Sequence, residues 1–98
     1  MKTLEELRRE LCEVKAEIAG KKYENERIHY GWVDGLLYAM EADEKDLRER
    51  YWEARDNINQ GRADDLDHES GFKDAMEFAL DEKIRPAPDW VRKANYEV

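Results

Sequence analysis

The stretch TLEELRRELCEVKAEI, residues 3–18, decides the fold class. Leu4, Leu7, Leu11, Val14 and Ile18 recur at spacings of 3, 4, 3 and 4, the stripe of a helix packed lengthwise on another. Thr3 stands where an N-cap belongs, and Glu6 three residues later completes a capping box. Glu5–Arg9 and Glu17–Lys21 are i,i+4 pairs in the favourable order, each worth a few tenths of a kcal/mol. Past Ile18 the stripe runs through polar Lys21 and Asn25 and recovers at Ile28. It is too short for a freestanding coiled coil and fits a bundle helix over about 3–29.

Outward from this stretch the character changes. Ile28, Tyr30, Trp32, Val33, Leu36, Leu37, Tyr38, Ala39 and Met40 cover nearly the whole circumference of a second helix, about 30–42. A helix apolar all round must be buried on several sides, and a small bundle would leave part of it wet. That predicts a homo-oligomer with this helix at its centre. Asp43 caps a third helix, 44–60, whose apolar positions are Leu47, Tyr51, Ala54 and Ile58. No proline interrupts residues 3–60, so one continuous helix is conceivable, although Gly31 and Gly35 weaken it. Residues 61–70 read as a polar acidic loop, followed by a helix over 69–84. Pro86 and Pro88 impose an extended stretch at 85–88, and 89–95 forms a short helical arm. The expected fold is all-α: one domain over 1–98, a small antiparallel bundle or hairpin of three to four helices with a C-terminal arm.

One internal echo stands out. GWVDGLLYAME (31–41) lines up with GFKDAMEFALD (71–81). Small residues fall at every fourth position in both: Gly31, Gly35, Ala39 and Gly71, Ala75, Ala79. A face without bulk lets two helix backbones approach closely. Together with the neighbouring Trp32, Leu36 and Phe72, these residues are the expected packing surface. The two stretches resemble small all-helical proteins of phages and mobile elements, among them inhibitors of bacterial defence and oligomeric sponges for nucleotide signals. The resemblance implies an interaction or sequestering role and transfers no residue.

Ninety-eight residues with 43% charged and 41% hydrophobic side chains favour amphipathic helices in one small domain. Apolar runs fall short of the ~20 residues a membrane span needs. The opening Met1-Lys2-Thr3-Leu4-Glu5-Glu6 does not read as a signal peptide, and a single cysteine, Cys12, excludes an intrachain disulfide and fits a reducing cytoplasm. Cys12 lies beside the apolar stripe, where packing is its expected role. The net charge is −8, concentrated in residues 31–83. A negative surplus is the wrong sign for phosphate neutralisation, so direct binding of duplex nucleic acid is not expected.

Asp64, Asp65, Asp67, His68 and Glu69 invite a metal reading. A calcium loop begun at Asp65 would need glycine where Ser70 stands and glutamate where Met76 stands. No metal, cofactor or catalytic set is expected: there are two histidines, no phosphate-cradling loop and no nucleophile elbow. The leading function is a non-catalytic interaction protein, such as a phage-type inhibitor of a host or defence protein. Its acidic surface, Asp43, Glu44, Asp46, Asp64, Asp65, Asp67 and Glu69, would meet a basic protein. An alternative is a sponge for a nucleotide-like ligand, with Tyr23, Arg27 and Tyr30 on one helix face stacking a base and holding a phosphate. A scaffold subunit is a third possibility.

Overall fold

The computed structural model describes residues 1–81, and those residues form four helices and no strand. They are α1 (Leu4–Ala19), α2 (Glu26–Glu41), α3 (Glu44–Gln60) and α4 (Leu66–Leu80). Each begins on a capping side chain. Thr3 and Glu6 form the reciprocal capping box of α1, and Asn25, Asp43 and Asp65 cap α2, α3 and α4. The backbone breaks at 20–25, so the first helix stops ten residues before the expected 29. Its stripe turns polar there, and Lys21 swings to a positive φ of 55°. Neither a helix over 3–29 nor a continuous one over 3–60 forms. The fourth helix begins at Leu66, not 69, because Asp65 accepts a hydrogen bond from the His68 N–H at 3.1 Å and starts the helix early. The part of that helix beyond residue 81, the extended 85–88 and the arm 89–95 lie outside the described residues.

The four helices are two hairpins of one plan, offset by 40 residues. The offset carries Leu7, Leu11 and Val14 of the buried face of α1 onto Leu47, Tyr51 and Ala54 of α3. The loops agree hydrogen bond for hydrogen bond. Lys21 N–H donates to the Ile18 carbonyl and Lys22 N–H to Glu17, while Gly61 donates to Ile58 and Arg62 to Asn57. The left-handed position of the second loop is a glycine, Gly61 at φ 66°, and that of the first is Lys21.

The hairpins join through α2 and α4, along the two echoing stretches. Gly31 lies against Gly71 and Gly35 against Ala75. These pairings rise together in sequence, so α2 and α4 run parallel, and only the helices within each hairpin are antiparallel. An all-antiparallel bundle is therefore not what forms; small residues on equivalent helices let the two hairpins meet about a pseudo-two-fold axis. Contacts recur in swapped form across it. Trp32 packs on Phe78 and Tyr38 on Phe72, each with ring centroids 5.9 Å apart. Leu36, Ala39, Ala75, Met76, Ala79 and Leu80 are buried around the axis.

This arrangement covers much of the surface of α2 that called for a second chain. Its small-residue face meets α4 and a second face meets α1. Tyr30 and Leu37 on its outer side keep 43% and 42% of their surface exposed. Cys12 is exposed and packs nothing into the core, whereas its counterpart Trp52 is buried. Among the described residues no helix is long and apolar enough to cross a membrane.

Candidate functional site

The acidic residues singled out in the sequence do not form one surface. Asp43, Glu44 and Asp46 sit at the start of α3, and Asp64 to Glu69 sit beyond its end, about 25 Å away for a helix of 17 residues. Most are paired within the chain, although Asp43, Glu44, Asp46, Asp64 and Asp67 stay exposed. Asp43 caps α3 by accepting from the Asp46 N–H at 2.8 Å, and Glu44 pairs with Arg48. Asp67 accepts from the Asn25 amide at 3.0 Å, and Asp65 pairs with Arg27. Glu69 accepts from Arg50 at 3.1 Å. The Asn25–Asp67 and Arg27–Asp65 contacts are images of each other across the pseudo-two-fold. Parallel helices bring the positive ends of two dipoles side by side, and carboxylates placed there offset that repulsion. The acids of 65–69 thus join two helix N-termini.

Asp65 shows the consequence. Its hydrogen bond from the His68 backbone, and then the Arg27 guanidinium, hold its carboxyl below the usual range. A depressed carboxyl contributes stability above its unfolded pKa of about 3.9 and loses it as pH falls through the folded value. Asp65→Ala should therefore melt a few degrees below the parent at pH 7, and the gap should narrow at pH 3. Thermal melts followed by circular dichroism at the two pH values check this.

Tyr23, Arg27 and Tyr30 are not brought together on one helix face. Tyr23 lies in the 20–25 loop with its ring 5.7 Å from His29. Arg27 turns to Asp65, and Tyr30 is exposed, its hydroxyl raised in pKa mainly by a hydrogen bond to Glu26. The loop break that ends α1 at Ala19 moves Tyr23 out of helical register with the other two.

Among the described residues, a concave surface lies between α1 and α2. A hollow of about 380 Å³ is lined by Glu17, Lys22, Tyr23, Glu24, Asn25, Ile28 and His29. A neighbouring hollow of about 200 Å³, sharing Glu17, Ile28 and His29 with it, is bounded also by Glu10, Val14 and Trp32. His29 Nε2 lies 2.8 Å from Glu17 Oε2, and its Nδ1 is buried with no hydrogen-bond partner among the described residues. Burial, and then repulsion from Glu13 and Glu17, raise the Glu10 carboxyl above its ordinary pKa. No family model, curated protein or solved structure matches this chain. The groove must be read from its own chemistry.

Three carboxylates, Glu10, Glu17 and Glu24, line the groove with Lys22 and His29, and Trp32 borders the smaller hollow. Glu10, Glu17, His29 and Trp32 were not grouped by the sequence reading, because they come from two helices joined by a break it did not place. The signal that finds them is the 40-residue offset itself. Glu10, His29 and Trp32 correspond to Arg50, Glu69 and Phe72, which close together in the second hairpin. Among the described residues no group of three or more metal-binding side chains is placed to hold an ion.

Proposed function

We propose that the chain is a non-catalytic interaction protein that engages a basic protein partner through acidic surface, as an inhibitor that covers such a surface would. The observation that carries this is the clustering of Glu10, Glu13 and Glu17 along α1 beside the hollow lined by Glu10 and Glu17; burial first, and then Glu13 and Glu17, raise the Glu10 carboxyl. The charge supports it more broadly. Residues 82–98 carry four bases and three acids, so residues 1–81 hold nine units of net negative charge. The acids of 43–69 belong mostly to caps and internal pairs, which moves the weight of the reading from α3 and α4 to α1. The nucleotide-sponge alternative has less behind it, since Arg27 is committed to Asp65 and the groove is bordered by Glu10, Glu17 and Glu24. An anionic ligand would meet like charge there.

The test is capture of basic proteins by immobilised chain across a salt series. Exposed charges are screened within about 8 Å at physiological ionic strength, so binding should fall steeply as salt rises. Glu10→Gln/Glu13→Gln/Glu17→Gln should weaken capture several-fold with helicity intact, and Asp64→Asn should leave it unchanged. Salt-independent capture, or a triple variant that binds like the parent, would overturn the proposal.

A further inference from the structure

The two hairpins share one plan, so each is a template for reading the other. In the second hairpin the groove is filled from within. Arg50 lies with its guanidinium carbon 4.6 Å from the Phe72 ring centroid and donates to Glu69 Oε1 at 3.1 Å. In the first hairpin the aromatic floor remains, as Trp32, but the cation is replaced by Glu10 and its carboxylate partner by His29. The space where Arg50 would lie is the 200 Å³ hollow, far more than a water molecule needs. Its lining includes the carboxylates Glu10 and Glu17 and the apolar Val14 and Ile28.

We propose that the α1/α2 groove receives the guanidinium of an arginine on a basic protein partner, in the place that Arg50 takes in the second hairpin. This rests on the acidic-interaction reading above and names the group that is recognised. Arginine suits each wall. Its planar head stacks on an indole, which is a better cation partner than the phenyl ring beneath Arg50. Its N–H fork matches carboxylates such as Glu10 and Glu17, and its methylene stem can lie along Val14 and Ile28. The larger hollow beside it adds Glu24 to the carboxylates, with Lys22 the cation on its lining. Glu10 is also placed where it repels Glu13 and Glu17, which is explicable if an incoming cation relieves the repulsion.

The experiment uses the full chain labelled with ¹⁵N and three acetylated, amidated peptides, Gly-Ser-X-Gly-Ser. X is arginine, lysine or citrulline, the neutral shape-mimic of arginine. The arginine peptide should shift the Trp32 indole N–H and the His29 amide saturably, with lysine weaker and citrulline at least tenfold weaker. Glu10→Gln should weaken arginine binding several-fold while melting no lower than the parent, a combination that a merely structural glutamate would not give. Glu10→Arg/His29→Glu places the second hairpin's own pair in the groove; it should remain folded, by its melt, and bind none of the peptides. Equal response to citrulline, no response at Trp32, or undiminished binding by the filled variant would overturn the proposal. If a basic protein still binds the filled variant in a salt-dependent way, the acidic-surface reading stands and the arginine pocket falls. If basic proteins never bind, both readings fall, even where Trp32 responds to the arginine peptide.

Discussion

Gly71→Ala should melt roughly 10–20 °C below the parent, although alanine is the better helix former. On an exposed helix the change would stabilise by up to about 1 kcal/mol. Here a Cβ on Gly71 would run into the Ile28 carbonyl oxygen and stand 2.9 Å from the Ile28 carbonyl carbon. Those atoms belong to a helix backbone, which cannot rotate aside as a side chain can. Overpacking costs about 1–3 kcal/mol and more where nothing yields, so a net loss of about 2–3 kcal/mol is expected. In a domain of this size each kcal/mol moves Tm by about 4–8 °C. Gly31→Ala should match it, because its Cβ would strike the His68 carbonyl oxygen and lie 2.8 Å from Phe72 N. Gly35→Leu should lose still more than Gly35→Ala, whose Cβ already falls 2.7 Å from Ala75 Cβ. A Gly71→Ala protein that melts higher than the parent would mean that α2 and α4 do not meet here.

Leu47→Ala and Leu7→Ala should each cost about 2–5 kcal/mol, a large share of the stability of a domain this small. The two leucines hold equivalent places in the two hairpins and are 0% and 1% exposed. Each removal leaves a cavity under a helix, and the spread in cost reflects how far the surroundings can collapse. Urea unfolding with a common m-value gives both numbers. Losses below about 1 kcal/mol at both sites would show that these helix faces are not the core.

Helix content, caps and much of the core were legible in the sequence. The 4-3-4 stripes of α1 and α3 and the Thr3–Glu6 box are local signals, and local signals survive translation into structure. The Gly31–Ala39 and Gly71–Ala79 faces were also legible as small-residue surfaces. What they would pack against was not, since a face without bulk does not say whether its partner lies in the same chain. The break at 20–25 was missed although Gly20 caps the end of α1 and Asn25 the start of α2, because the left-handed turn falls on Lys21, where no glycine marks it. Missing that break placed Tyr23 on a helix and concealed the groove. The acids at 65–69 read as surface because their use, joining two helix N-termini, exists only once α2 and α4 stand side by side.

The pseudo-two-fold axis relates backbones more faithfully than surfaces. On the exposed side of α2 stand Tyr30 and Leu37; the corresponding positions of α4 are Ser70 and Glu77. One hairpin has a hollow beside two exposed apolar side chains, and the other has Arg50 over Phe72 beside two polar ones. A symmetric object with two equal ends would bind two partners or bridge two copies of one. This molecule has a front and a back. If the proposed partner binds, its stoichiometry should therefore be one to one, since the second hairpin lacks the hollow's equivalent charges.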